Sequence, residues 1–181
     1  FQLPRRHRGT FDAVLEHTKQ ESCVLFGHSM GVQVALETYR RHPSKVIGLV
    51  LICGSYGNPL KTFKGNDLLE YALPWLRMVV KRAPKALHLA WRYVVPTRLT
   101  FAIAQRYELN PDLVRLDDFM PYLEHMSQVD LELFVEMMTL AAKHTAQDIL
   151  GSISVPTLVV AGERDTFTPM WLSQQMRAQI P

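Results

Sequence analysis

The hydrophobic positions of this chain fall first into three short apolar runs, at residues 23–26, 46–53 and 157–161. The middle run is continuous, as is typical of a strand that is covered on both faces in a parallel sheet. Helical patterns at residues 10–19 and 32–42 lie before and after the first run. Strands that alternate with helices predict an α/β fold with a parallel sheet and flanking helices.

The segment 58–147 has a different pattern. It lacks the alternation of a half-buried strand, and its Leu, Met, Trp and Arg residues recur at helical spacing between prolines. We therefore expect several short helices inserted between the second and third strands. The predicted organisation is an α/β core formed by residues 1–57 and 148–181, with a helical cap at 58–147.

A tight turn that carries chemistry is predicted directly after the first strand. Residues 27–31 read Gly-His-Ser-Met-Gly, which matches the G-x-S-x-G pattern of a nucleophile elbow between a strand and a helix. Such a turn lifts the hydroxyl of Ser29 above the sheet edge and makes it the candidate nucleophile. We expect both Gly27 and Gly31 to be required, because a side chain at either would collide with the neighbouring strand or helix. His28 is expected to line the substrate pocket.

Two acidic residues, Glu163 and Asp165, follow the third apolar run. An acid just past the carboxyl end of a parallel strand lies at the same sheet edge as the elbow. There it can orient a histidine and stabilise the imidazolium formed during catalysis. Asp165 is preferred over Glu163 because it lies deeper in the loop. Taken alone, the segment also fits an ordinary turn, since Gly, Asp, Thr and Pro are common turn residues.

Together these motifs resemble the serine α/β-hydrolase family, in its branch with a helical cap. The resemblance rests on G-H-S-M-G at 27–31, P-x-x-V-x-x-L-V-L-x-x-G at 43–54 and V-P-T-L-V-V-A-G-E-R-D at 155–165. It implies Ser29 as nucleophile, Asp165 as the acid of a triad, and the backbone N–H of Met30 as an oxyanion-hole donor. It argues against haloalkane dehalogenase or epoxide hydrolase chemistry, because those relatives carry Asp at the position of Ser29.

The family pattern also includes a histidine after the acid, beyond one more strand, and earlier strands before the elbow. This sequence has no histidine after Asp165 and only 28 residues before Ser29. We therefore expect a partial α/β-hydrolase fold, without the early strands and the last strand, that is inactive alone. The segment His7-Arg8-Gly9 is expected to be a surface loop. His125 and His144 are the first candidates for a substitute base.

Composition narrows the possible partners. The net charge of +3 comes from Arg5-Arg6-His7-Arg8 and from scattered basic residues at 61–106. A basic cluster that short is typical of a solvated loop, so we expect no nucleic-acid interface. Cys23 and Cys53 lie in apolar runs, which predicts buried free thiols. These thiols and the lack of a signal peptide favour a cytoplasmic protein. No cluster has metal-ligand spacing and no phosphate-binding glycine loop occurs, so neither a metal nor a cofactor is expected.

Residues 68–107 combine an apolar helical face with a basic one. A helix of this kind can lie on a membrane surface. We prefer the simpler interpretation that the cap packs over an apolar pocket, with Trp75 and Trp91 lining it, and we do not expect a membrane partner.

The function predicted from the sequence is hydrolysis of an ester, thioester or similar acyl bond of a small apolar substrate. The reaction would run through an acyl-enzyme on Ser29. Carbon–carbon bond hydrolysis or perhydrolysis with the same residues stays open. So does a catalytically dead module that binds a small ligand or a partner. The sequence does not indicate an oligomeric state.

Overall fold

The computed structural model describes residues 10–58, 68–107, 109–110 and 112–181. Its core is a parallel three-stranded sheet in the order β1 (Cys23–His28), β2 (Val46–Ile52), β3 (Thr157–Val160). The segment His7-Arg8-Gly9 lies outside the described residues.

Two helices flank the first strand, α1 (Thr10–Thr18) and α2 (Met30–Arg41). A 3-10 turn at Pro43–Lys45 then leads into β2. The parallel sheet and its flanking helices confirm the predicted α/β class.

One face of the sheet carries the hydrophobic core. In the register of the sheet, Leu25 pairs with Leu49, and Leu51 pairs with Val159, so these side chains share a face. Apolar side chains of α2 and of the chain's last third cover that face. The largest fully buried members of this core are Val32, Leu36, Val46, Leu49, Leu51, Leu150, Ile153 and Met176.

The opposite face of the sheet is largely uncovered in the part of the chain that the structure describes. Val24, Leu158 and Val160 are exposed there, and the Phe26 side chain is 74% exposed. The two outer strands, β1 and β3, are each hydrogen-bonded to β2 alone within this sheet. This is the appearance expected of a partial α/β-hydrolase sheet.

The inserted segment is helical, as the sequence predicts. Its helices are α3 (Leu68–Arg82), α4 (Pro84–Val94), α5 (Arg98–Tyr107), α6 (Leu116–Gln128) and α7 (Leu131–Lys143). The chain then continues through α8 (Gln147–Leu150), β3 and α9 (Met170–Gln179). Pro84 occupies the first position of its helix, where the missing N–H costs nothing. Pro74 and Pro121 lie inside α3 and α6 rather than between helices.

The chain divides into two compact units, Phe1–Glu70 with Leu140–Pro181, and Tyr71–Thr139. The second unit is all-helical within the described residues, and we call it the helical unit. The cap boundaries expected from the sequence, 58–147, are wider than this unit at both ends and stay a prediction.

The helical unit has its own apolar cluster. Val80, Leu131 and Val135 are buried in it, with Leu87 and Trp91 packed against them. The indole N–H of Trp91 donates a hydrogen bond to the carbonyl oxygen of Met126 at 2.9 Å.

Both cysteines are free, as predicted, but they are only half-buried. Burial raises the pKa of the Cys23 thiol. Among the described helices, none is long and apolar enough to cross a membrane.

Candidate active site

Ser29 lies at the turn where β1 passes into α2, which is the strand–turn–helix geometry that the motif predicts. Its backbone has φ 55° and ψ −122°. A non-glycine residue with positive φ is strained by about 1–3 kcal/mol, and such residues concentrate at functional sites. The Ser29 N–H donates to Ile52 O at 3.0 Å and so extends the sheet ladder by one residue. The side chain is exposed.

The two glycines of the motif differ in their surroundings. A Cβ on Gly27 would lie 2.5 Å from the carbonyl oxygen of Gly31 and 2.9 Å from the Cα of Val32. No side chain fits there. A Cβ on Gly31 would meet nothing within 4 Å. The prediction that both glycines are sterically required is therefore wrong for Gly31, because this residue lies on an open side of the first turn of α2.

A second residue with positive φ, Cys53, follows β2 beside the elbow, with φ 44°. Its N–H donates to Val160 O at 2.8 Å, which ties the end of β2 to the end of β3. A Cβ on the next residue, Gly54, would lie 2.5 Å from Ser29 O. No steric role was predicted for these two residues, although Gly54 ends the run at 43–54 that resembles the family.

Asp165 lies in the loop after β3, at the same carboxyl edge of the sheet as Ser29. Its Oδ1 accepts hydrogen bonds from the N–H groups of Phe167 and Thr168 at 2.9 and 2.8 Å. Its Oδ2 accepts the hydroxyl of Thr168 at 2.7 Å. Three donors thus fix the orientation of this carboxylate, while Glu163 is exposed on the same loop.

Thr168 was not singled out from the sequence. It is buried, and it donates to the carboxylate with both its N–H and its hydroxyl. The available signal was the D-x-x-T spacing, because Asp side chains commonly accept hydrogen bonds from backbone N–H groups two and three residues onward.

His144 is engaged away from the elbow. Its Nε2 lies 3.3 Å from Glu37 Oε2, and both side chains are almost fully buried. Glu37 is eight residues beyond Ser29, which corresponds to about 12 Å along the axis of α2. The His144 side chain is therefore engaged in a structural pair with Glu37, and it is not available as the substitute base suggested by the sequence.

The pKa values of this pair follow from burial and hydrogen bonding. Burial raises the pKa of Glu37, but hydrogen bonds from Arg41 and His144 and the positive charges of Arg40 and Arg41 together hold this pKa below its ordinary value. Burial, together with the nearby positive charge of Arg40, holds the pKa of His144 below its ordinary value, although the carboxylate of Glu37 acts to raise it. Because a carboxylate only accepts, the neutral imidazole carries its proton on Nε2.

The remaining predicted site residues lie in several places. His28 is the last residue of β1 and is exposed. In the helical unit, Trp75 is exposed and Trp91 is partly buried in the apolar cluster. His125 is exposed on α6. Their assignment to a pocket or to catalysis stays a prediction.

Among the described residues, no histidine is hydrogen-bonded to Ser29 or to Asp165. Within the same residues, no group of three or more His, Cys, Asp or Glu side chains is placed to hold a metal ion.

Comparison with known proteins assigns the family. The profile of the family described as "Serine aminopeptidase, S33" matches residues 7–181. The chain belongs to this family of hydrolases. An uncharacterized hydrolase, YugF, of Bacillus subtilis (strain 168) is 24% identical over 175 residues, which cover 93% of this chain and 57% of that protein.

Solved structures of α/β-hydrolases share the fold. An enol-lactonase from Burkholderia xenovorans has a TM-score of 0.68 at 17% identity, covering 97% of this chain and 60% of that one. An esterase from Exiguobacterium antarcticum has a TM-score of 0.63 at 17% identity, covering 94% and 59%. The fold is therefore that of an α/β-hydrolase, and this member of the family spans about three fifths of the length of the relatives it matches.

Proposed function

We propose that this chain carries the nucleophile and the acid of a serine hydrolase that cleaves carboxylic esters or related acyl bonds of small apolar substrates. The observation that carries the proposal is the strained backbone of Ser29 at an exposed strand–helix turn. The backbone is closely packed around this turn, since neither Gly27 nor Gly54 has room for a side chain. An exposed hydroxyl held in this way is typical of a nucleophile elbow.

The position of Asp165 supports a triad. Ser29 follows β1 and Asp165 follows β3, with β2 between them. Neighbouring strands lie about 4.8 Å apart, so the two strand ends are separated by roughly 10 Å. An imidazole with one hydrogen bond on each side can bridge such a span. We infer that an imidazole acts there as the base and that Asp165 holds its tautomer.

The start of α2 supports an oxyanion hole. Met30 is the first residue of that helix, and the first N–H groups of a helix have no partner within it. The positive end of the helix dipole lies at the same point. The Met30 N–H can therefore face the negative charge that develops on the substrate oxygen.

The proposed reaction has two steps. The Ser29 oxygen attacks the carbonyl carbon while the imidazole takes the hydroxyl proton, and this proton passes to the leaving alcohol or thiol. Water, deprotonated by the same imidazole, then attacks the acyl carbon and releases the acid and free Ser29. Neighbouring folds whose names read esterase and enol-lactonase support a carboxylic ester as the substrate class.

The nucleophile is tested with a fluorophosphonate probe. In the protein that turns over an ester, we expect Ser29→Ala to abolish labelling, with an unchanged circular dichroism spectrum. The control variant Ser44→Ala, at an exposed serine before β2, should label like the unchanged chain. Labelling that survives Ser29→Ala would refute the assignment.

The acid is tested by replacing each of the two carboxylates of the loop with its amide, in the protein that turns over an ester. Asp165→Asn is expected to lower kcat by about 10⁴, because the amide no longer holds the correct tautomer of the base. Glu163→Gln, on the same loop but exposed, should change kcat less than twofold. A larger loss for Glu163→Gln would show that the other carboxylate is the acid.

A further inference from the structure

Basic and acidic residues lie in separate parts of the sequence of the helical unit. Residues 71–107, which form most of α3, α4 and α5, contain seven basic residues and no acidic one. Residues 112–139, which include α6, contain seven acidic residues and one basic residue, Arg115. Arg77 of the basic half pairs with Glu136 of the acidic half at 2.9 Å. The other six cations are exposed: Lys81, Arg82, Lys85, Arg92, Arg98 and Arg106.

Helix α3 is apolar on two opposite sides. Leu73 and Val80 point into the cluster of the helical unit. Tyr71, Trp75 and Met78, at the i, i+4, i+7 spacing of one helical face, point the other way. The Tyr71 side chain is 77% exposed and that of Trp75 is 63% exposed. An ordinary solvent-facing side would be polar.

Helices α4 and α5 repeat this arrangement. On α4, Leu87 and Trp91 pack inward, whereas Leu89 and the 70% exposed Tyr93 lie on the far side.

On α5, Phe101 is buried and packs 6.1 Å from the ring of Phe119 on α6. Leu99, Ile103 and Arg106 lie on its exposed side.

The inward sides of these helices pack on α6 and α7, so their outward sides face away from the acidic half of the unit. The inward contacts are the hydrogen bond from Trp91 to Met126, the ring contact of Phe101 with Phe119 and the ion pair of Arg77 with Glu136. We name the outward sides of α3–α5 the basic apolar face. Its large apolar members are Tyr71, Trp75, Leu89, Tyr93, Leu99 and Ile103.

A shallow depression lies beside the aromatic residues of α3. It has a volume of about 450 Å³ and is lined by Pro74, Arg77, Met78, Lys81 and Arg82. Two of its lining residues, Lys81 and Arg82, are exposed cations, and a third, Arg77, is paired with Glu136. A phosphate group is therefore suited to this depression, because Arg and Lys are the side chains that bind phosphate.

We propose that the basic apolar face docks the protein on an anionic phospholipid bilayer. Helices that lie in a membrane interface combine Lys and Arg with Trp, Phe and Leu. Tyr and Trp rings favour the headgroup level, and each cation near an anionic surface strengthens binding. A nucleic acid would match the charge but would leave Leu89, Leu99 and Ile103 without a role. The sequence favoured a packed apolar side here, and the exposure of these side chains is what points to a lipid surface.

The proposal is tested by sedimentation of the purified protein with vesicles. We expect binding to vesicles that contain phosphatidylglycerol, at least tenfold tighter than to pure phosphatidylcholine and weakened by salt. Lys81→Glu/Lys85→Glu should reduce binding roughly thirtyfold or more, since each cation contributes roughly fivefold. Trp75→Ser/Tyr93→Ser should reduce it at low salt and at high salt alike.

Two controls carry the same changes elsewhere on the surface. Lys143→Glu/Arg177→Glu alters the net charge equally at exposed sites outside the basic apolar face, and Leu133→Ser removes an exposed apolar side chain from α7. Both should bind vesicles like the unchanged protein.

Four results would overturn the proposal. The first is absence of vesicle binding, and the second is equal binding to phosphatidylglycerol and pure phosphatidylcholine vesicles. The third is an equal loss of binding in Lys143→Glu/Arg177→Glu and in Lys81→Glu/Lys85→Glu. The fourth is a dimer in sedimentation velocity that Trp75→Ser/Tyr93→Ser dissociates, since a second copy would then cover the face. Salt-dependent binding of single-stranded RNA without vesicle binding would count as the first of these results.

Discussion

The two glycines of the elbow motif provide the sharpest test of the site geometry, because one sequence pattern covers two different environments. In Gly27→Ala, the new Cβ would lie 2.5 Å from Gly31 O and 2.7 Å from Gly31 C. Both are backbone atoms, so no flexible side chain can move aside. Relief requires β1 and the start of α2 to separate by several tenths of an ångström, and overpacking of this kind costs about 1–3 kcal/mol or more.

Gly31→Ala should behave in the opposite way. The added methyl meets nothing within 4 Å, and the residue lies in the first turn of α2. Alanine restricts the unfolded chain and favours the helix, which stabilises a protein by about 0.4–1 kcal/mol where the backbone is compatible. We therefore expect two alanine variants of one motif to shift the free energy of unfolding in opposite directions.

The assay is urea unfolding followed by circular dichroism, with fluorophosphonate labelling of the protein that turns over an ester as a second readout. A loss of 2–3 kcal/mol corresponds to a fall of roughly 1 M in the urea midpoint of Gly27→Ala. Its labelling rate should fall as well, because Ser29 is attached to the displaced backbone. Gly31→Ala should keep its labelling and keep or raise its midpoint. Equal losses in both variants, or a larger loss in Gly31→Ala, would refute the reasoning.

Two further predictions concern buried polar contacts. The pKa of His144 in the folded protein is held below its ordinary value of 6.5. As the pH falls through about 6.5, the imidazole of the unfolded chain therefore binds a proton while that of the folded chain stays neutral. Stability should therefore fall below this pH until the folded imidazole is itself protonated. In His144→Gln, the urea midpoint should change less between pH 7.5 and 5.5 than it does in the unchanged protein. In the exposed control His17→Gln, the midpoint should change with pH as much as in the unchanged protein. An unchanged slope in His144→Gln would contradict the assigned burial. Separately, Trp91→Phe removes the donor that Met126 O accepts at 2.9 Å and should cost about 1–3 kcal/mol in thermal unfolding. The exposed Trp75→Phe should cost under 0.5 kcal/mol, and equal costs would show that the bond is not made in solution.

The positions of the strands follow from local pattern, and the sequence predicted all three strands to within two residues of their ends. The differences have local causes. β1 continues to His28 because Gly27 and His28 still pair with Leu51 and Ile52. β2 ends one residue early because Cys53 adopts φ 44°, which no propensity of cysteine indicates.

The site was predictable only where its chemistry lies in a contiguous motif. Ser29 and Asp165 follow from such motifs, and so does their common edge of the sheet. The pairing of Glu37 with His144 joins residues 107 apart, and periodicity carries no information about such a contact. The freedom of Gly31 could not be seen either, because the motif records which residue is present and not which atoms approach it.

The spacing of the strands along the chain also sets the order in which the sheet can assemble. Seventeen residues, 29–45, connect β1 to β2, whereas 104 residues, 53–156, connect β2 to β3. For flexible loops the longer closure costs about 1.6 kcal/mol more. During synthesis at about 5–20 residues per second, the ribosome needs roughly 5–20 s to add the intervening segment. Throughout that interval the open edge of β2 can pair with other chains. A fast-folding helical unit would shorten the effective loop, and a chaperone would have to protect the edge until β3 emerges.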